Sequence, residues 1–296
     1  MMKENVTHET PAPRVSPLLE RGSATEILSY APSGWVLKQC LESGFVFLEN
    51  PPHYEAFEED HAWELNFSKE SERRKKTEPV FYAISTFLKK VRSKAFSRHK
   101  VRDLAIDCLK EVDSAQIHLL DVGCGWGGLL QEVIHDLPEA IQHRCVPNGI
   151  ELSKELARLS NEKLCNAGGG QCIQDNALHG ITRFPPDYFD LIVLSSFLEH
   201  EINPLPLLRR CLQHLKPGGR VVVKVPNYAS LNRRIRGSNW CGFRWPDHVN
   251  YFTPQTLTRM ATQAGLQVDR MQFRDRQPWS DSLYAVLSKP KRTQAL

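Results

Sequence analysis

From residue 116 onward, short apolar runs alternate with stretches of helical composition, and few architectures accept that rhythm. IHLLDV (117–122), RCVPNGIE (144–151), QCIQ (171–174), FDLIVLSS (189–196) and RVVVKV (220–225) read as strands, as do LQVDRMQF and SLYAVLSK near the end. Between them lie helical stretches: Gly127 to Asp136, Ser153 to about Asn166, Leu205 to Leu215, and one opened by Thr253-Pro254 and closed by Gly265. Ser153 and Thr253 suit the cap position because a side-chain oxygen there accepts from a free N–H of the first turn, and proline suits the first helical position. Strands alternating with helices in this way build βαβ units and a largely parallel sheet. The last two strands are joined only by a loop, which points to an antiparallel final strand. The expected fold is α/β, with seven strands in one mostly parallel sheet.

The chain has 296 residues, enough for one large domain and an appendage. Residues 1–30 are rich in Pro, Ser, Thr and Glu without a sustained period, so they are expected to be mostly disordered. Residues 34–49 hold two apolar runs around Glu42-Ser43-Gly44, a hairpin signal that Pro51-Pro52 ends. Residues 53–112 are helical in composition, with Phe81, Ile84, Phe87, Leu88 and Val91 recurring at three and four. The expected division is therefore a disordered segment 1–30, a hairpin and helical extension 31–112, and a main domain 113–290.

The extension carries a basic run, Arg73 to Lys76 and then Lys89 to Arg102. Such a run is ordinarily a solvated helix face, and its alternative is a peripheral contact with an anionic membrane surface. Net charge is only +4, so no nucleic-acid partner is expected. No uncharged apolar run approaches the ~18–20 residues that span a bilayer. The first residues, MMKENVTHETPAPR, lack the apolar core of a secretory signal. The eight cysteines include no CxxC pair and read as reduced thiols, so a cytoplasmic protein is expected.

Chemistry concentrates first in Leu119-Leu120-Asp121-Val122-Gly123-Cys124-Gly125-Trp126-Gly127-Gly128, where a strand runs through glycines into a helix. Glycines let a backbone turn tightly and approach a ligand closely, and the helix start behind them offers free N–H groups. Gly123, Gly125 and Gly128 also satisfy GxGxxG, so an NAD-dependent oxidoreductase is an alternative. Asp121 discriminates, since a carboxylate there suits a cationic amino group and sits badly beside a pyrophosphate. Glu151, ending the next strand with Leu152 beside it, can accept from both hydroxyls of a ribose. Asp175 and Asn176 follow the third strand, where an acid and a backbone N–H can meet an adenine or simply form a turn.

Farther along, Phe189 to Ser196 leads into Leu198-Glu199-His200, and Leu215-Lys216-Pro217-Gly218-Gly219 precedes the fifth strand of the domain. Together with the glycine loop and Glu151, these elements resemble the class I S-adenosylmethionine-dependent methyltransferases, of the type that includes ubiquinone-biosynthesis O-methyltransferases. The resemblance covers about residues 116–227. It implies a Rossmann-like fold and S-adenosylmethionine as cofactor. It also implies that Asp121, Gly123, Gly125 and Gly127 frame the methionine moiety, that Glu151 takes the ribose, that Asp175 and Asn176 flank the adenine, and that Ser195 lies near the sulfonium.

The later segment, with Trp240, Pro246-Asp247-His248 and Tyr251-Phe252-Thr253-Pro254, resembles a bacterial subgroup whose members begin with a zinc-ribbon-like CxxCG. Here Cys40 is followed by Ser43 where the second thiolate would stand, and a hydroxyl is a poor zinc ligand. A metal-free remnant is expected.

Methyl transfer from a sulfonium is an in-line displacement, and a hydroxyl or acidic carbon acceptor must also lose a proton. His200, past the end of the fourth strand with Glu199 beside it, is the first candidate base, and His248 the second. A neighbouring carboxylate would raise the imidazole pKa. Some relatives carry ExxEH here and bind a divalent ion with a later histidine, but Ser196 replaces the first glutamate, and no metal is expected. Residues 228–252 read as a lid whose aromatic and arginine side chains suit a planar or anionic acceptor. The sequence thus points to a methyltransferase acting on an unidentified small molecule, at a hydroxyl oxygen or activated carbon. A domain of this kind that binds the cofactor without turnover is the other alternative.

Overall fold

The run Phe189–Ser195 is buried at every position but the last, as a strand must be when helices cover both faces of its sheet. In the computed structural model, which describes residues 13–52 and 100–290, this strand is central in a seven-stranded sheet. The chain begins with β1 (Thr25–Leu28), β2 (Leu37–Cys40) and β3 (Val46–Leu48). The large sheet comprises β4 (Ile117–Val122), β5 (Cys145–Glu151), β6 (Cys172–Gln174), β7 (Phe189–Ser195), β8 (Leu215–Pro226), β10 (Gln267–Arg270) and β11 (Ser282–Ser288). Its order is β10-β11-β8-β7-β4-β5-β6. Neighbours from β8 through β6 run parallel, and β11 is antiparallel to both β8 and β10, as expected. The chain moves outward from β4 to β6 and then crosses to β7 on the other side of β4. Ligands of open α/β sheets bind at the carboxyl edge of such a reversal.

One face of the sheet is covered by α6 (Pro204–His214) and α8 (Pro254–Gln263), which contribute Leu205, Leu208, Leu257 and Met260. The other is covered by α1 (Lys100–Leu109), α2 (Gly128–His135) and α4 (Lys154–Gly168), with Leu104, Leu130, Val133 and Leu164. The shorter helices are α3 (Glu139–Gln142), α5 (Ala177–Gly180) and α7 (Leu231–Arg236). The caps follow the sequence. Ser153 accepts from Leu156 N, Thr253 and Thr256 form a reciprocal capping box, and Gly169 ends α4 in the left-handed region at φ 72°. That helix runs two residues past Asn166, to the point where Gly169 takes the reversing left-handed conformation.

The start of the chain departs from expectation. Residues 13–30 are ordered against the domain, where a disordered segment was expected over 1–30. Leu18 is fully buried, and the Arg14 guanidinium donates to the carbonyls of Ile202 and Val249 and to Asn250 Oδ1. β1 pairs with β2, β2 with β3 as the hairpin signal requires, and β3 with β9 (Asn250–Tyr251). The resulting four-stranded sheet joins the N-terminal hairpin to the segment expected as a lid. The expected helical stretch and most of the basic run, residues 53–99, lie outside the described residues. Of the basic run, Lys100 pairs with Asp275 at 2.9 Å and Arg102 with Asp136 at 2.9 Å. No helix among the described residues is long and apolar enough to cross a membrane.

Candidate functional site

β4 ends at the topological reversal, and the glycine loop begins there. Gly123, Gly125 and Gly127 all have positive φ, 70°, 52° and 68°. A side chain at Gly123 would come within 2.4 Å of the Phe197 ring, and one at Gly127 within 2.9 Å of Ser160 Oγ. The loop is fastened on two sides. Ile150 O accepts from Gly123 N and Cys124 N at 2.8 and 3.2 Å, while Ser160 Oγ and Lys163 Nζ donate to the carbonyls of Gly125 and Trp126.

Asp121 is 4% exposed at the end of β4. Burial, and then the charge of Glu151, push its pKa up to about 7. A buried carboxyl beside another acid is costly to ionise, and a cationic ligand group would offset that cost. Glu151 is held by backbone: Oε2 accepts from Gly125 N at 2.9 Å and Oε1 from Ser153 N at 3.0 Å. This ties the end of β5 to the loop. Leu152 is half-buried beside it. Asp175 is partly committed, accepting from Asn176 N at 2.9 Å and pairing with Arg183 at 2.8 Å. The Asn176 side chain caps α5 by accepting from His179 N at 3.0 Å. Ser195 ends β7 opposite Lys224, and Ser196, at φ 58°, turns the chain toward Glu199 and His200.

Glu199, His200 and His248 come together although the sequence separates them by nearly fifty positions. One ligand-capable atom from each lies within 4.8 Å of the others, and the two imidazoles meet edge-on at 4.6 Å. His200 Nδ1 is 2.9 Å from Asp247 O, and His248 Nδ1 is 2.7 Å from Gly242 O. A carbonyl only accepts, so each Nδ1 carries its proton and each Nε2 presents a lone pair. Glu199 Oε2 is buried with no hydrogen-bond partner among the described residues. Glu199 and His248 are buried, whereas His200 keeps part of its surface exposed.

The expectation that Glu199 raises the His200 pKa is corrected here. Burial first, and then Arg244, lower His200 to about 4, and burial with His200 and Arg244 takes His248 well below its ordinary value. Burial likewise lifts Glu199 to about 7, so near neutrality it is only partly charged and gives its neighbours little field.

The anchor of this cluster was not found from sequence. Asn250 Nδ2 donates to Leu198 O at 2.8 Å and Glu201 O at 2.6 Å, and Glu199 O accepts from Val249 N and Asn250 N. One asparagine thus clips the turn bearing Glu199 and His200 to the segment bearing His248. The aromatic side chains of 228–252 are largely spent on one another, and Arg233 packs on one of them. Tyr228, Trp240, Phe243 and Tyr251 form a buried cluster with Leu37 and Val46, and Trp240 Nε1 donates to Asp281 at 2.7 Å. The Arg233 guanidinium lies 4.1 Å over the Tyr228 ring. At the N-terminal ribbon, Cys40 Sγ is 3.2 Å from Ser23 Oγ and 3.4 Å from Ser43 N. Burial pushes that thiol up, but the hydrogen bonds from Ser23 and Ser43 outweigh it and bring it to about 7.

Comparison with known proteins assigns the chain to a family. Residues 88–270 match the family model described as a methyltransferase domain. A ubiquinone biosynthesis O-methyltransferase of Nitrosospira multiformis is 26% identical over 164 residues, 52% of this chain and 64% of that protein, so the match spans less than two thirds of the relative. One of Dechloromonas aromatica is 28% identical over 185 residues, covering 58% and 75%. Among solved structures, the CurJ carbon methyltransferase superposes with a TM-score of 0.50 at 14% identity, over 65% of this chain and 54% of that one. The fold is the Rossmann-like one of class I methyltransferases.

Proposed function

The chain belongs to the methyltransferase domain family, whose cofactor is S-adenosylmethionine, and we propose that it uses this cofactor to methylate a hydroxyl group of a small molecule. Asp121 takes the cofactor's ammonium, Gly123, Gly125 and Gly127 admit its methionine portion, Glu151 with Leu152 receives the ribose, and Asp175 and Asn176 border the adenine. Ser195 stands at the strand end nearest the sulfonium. The carrying observation is Asp121, a buried carboxyl whose pKa is raised to about 7, beneath a left-handed glycine loop. That arrangement favours an ammonium and disfavours the pyrophosphate of NAD.

On the acceptor side, His200 Nε2 takes the hydroxyl proton. It is the one member of its cluster that keeps exposed surface, and its Nδ1–H bond to Asp247 O fixes the required tautomer. Glu199, ionising at about 7, carries its full charge only above neutrality, and there it stabilises the imidazolium formed in the transition state. The names of the curated relatives support oxygen as the atom methylated.

A second reading of the same residues is favoured by their convergence within 4.8 Å, with both Nε2 lone pairs available. Glu199, His200 and His248 would then hold a divalent cation that lowers the pKa of a bound hydroxyl. The deciding experiment is transfer of labelled methyl to a panel of small-molecule hydroxyl compounds, with and without a chelator. Transfer that survives chelation supports the base. Transfer lost with chelator and regained with Mg²⁺ supports the cation. Cofactor binding with no transfer to any compound would favour a domain without turnover.

A further inference from the structure

Two thiols meet beneath the cofactor loop. Cys124, between Gly123 and Gly125, directs its side chain away from the loop, over β5, so that its Sγ is 3.5 Å from Cys172 Sγ at the start of β6. The backbone makes room for this contact. Cys172 is the register partner of Gly149, and a side chain at Gly149 would come within 2.7 Å of Cys124 Sγ. Cys124 is buried and Cys172 is half-exposed. An oxidant therefore reaches Cys172 first. None of the functional roles assigned above uses either thiol.

We propose that Cys124 and Cys172 are an oxidative modification site, forming a reversible disulfide under peroxide that draws the glycine loop away from the shape that receives the cofactor. The chemistry balances with one peroxide. The Cys172 sulfur attacks the peroxide O–O bond, giving a sulfenic acid and one water. The Cys124 sulfur then attacks the sulfenic sulfur; the S–S bond forms, the S–O bond breaks, and the departing hydroxide takes the Cys124 proton as a second water. A dithiol reverses the bond by exchange.

Closure must shorten the sulfur separation from 3.5 Å to the ~2.05 Å of a disulfide. β6 is held in the sheet by its pairing with β5, whereas Cys124 belongs to a loop, so the loop yields. Its displacement is felt at once by Gly125 N, which donates to Glu151, and by the Gly123 and Cys124 N–H groups on Ile150 O. Contact with Cys172 and burial push the Cys124 thiol up, so ring closure is slow at neutral pH and quickens as pH rises.

The test treats the whole protein with hydrogen peroxide, maps it by non-reducing peptide mass spectrometry, and titrates it with S-adenosylhomocysteine before and after dithiothreitol. The expected result is a linked Cys124–Cys172 peptide, ~2 Da lighter than its reduced parts, with affinity reduced roughly tenfold or more and restored by the dithiol. Cys172→Ser should keep its affinity through peroxide treatment. A protein with no such linked peptide would overturn the proposal, as would a linked protein of unchanged affinity or an equal loss in Cys172→Ser. Mapping and reversal in the native chain need no variant and do not depend on the acceptor chemistry.

Discussion

Replacing Asp121 by Asn tests the cofactor site through its pH dependence. The carboxyl is buried and titrates at about 7 in the free protein, against an ordinary 3.8. An ammonium beside it would return it to the ionised form, so binding below that pKa must expel one proton. The dissociation constant of S-adenosylhomocysteine should therefore fall about tenfold per pH unit from pH ~5 to ~7 and level off above. The total is roughly 100-fold, or ~2.7 kcal/mol. Asn has the shape of the protonated acid and cannot ionise. Asp121→Asn should bind at pH ~8 about as weakly as the native protein does at pH ~5, with no slope between.

Free-protein stability should move the opposite way. A raised carboxyl pKa means that the folded state holds its proton where the unfolded state has lost it, so stability falls as pH rises from about 4 to about 7. The shift corresponds to a cost of up to ~4 kcal/mol for ionising Asp121 in place, and Asp121→Asn removes it. The ligand-free variant should therefore be the more stable protein at pH ~8 while binding less. Calorimetric titration and thermal unfolding across this range read both quantities. A native affinity that is flat with pH, or the same slope in Asp121→Asn, would refute the ammonium assignment.

Three further outcomes follow from the site. His200→Ala should lower turnover by ~10²–10⁴-fold with cofactor affinity nearly unchanged, because base catalysis acts in the transition state; a fall seen only in His248→Ala would move the role there. The limb of the rate profile should rise through about pH 7 with Glu199 and vanish in Glu199→Gln, and a limb unchanged in that variant would separate Glu199 from the proton transfer. The Cys40 ribbon should carry no zinc, with Ser43 and other hydroxyls around one thiol, and elemental analysis of untagged protein finding about one equivalent that Cys40→Ala removes would show a living metal site.

The large sheet was legible because parallel strands buried on both faces become apolar runs, as in Leu191 to Leu194. The glycine loop was legible because positive φ and close approach leave glycine little competition. The small sheet was not. β9 is two residues long, and β1 presents the mixed pattern of an edge, so no periodicity announces either. Polar composition around Arg14 likewise hid that its guanidinium is satisfied by carbonyls and a side chain more than 180 residues away. Glu199 and His200 were chosen by motif and His248 by resemblance. Their convergence depends on Asn250, whose side chain bonds across the chain and has no local signature. The direction of the His200 shift is not legible in the sequence, because adjacency suggests a charged partner while burial leaves that partner only partly ionised.

Calorimetric titration of the reduced protein with S-adenosylhomocysteine, and separately with NADH, tests the central claim most directly. The account predicts saturable, micromolar binding of S-adenosylhomocysteine and none of NADH. Heat from NADH with none from S-adenosylhomocysteine would contradict it.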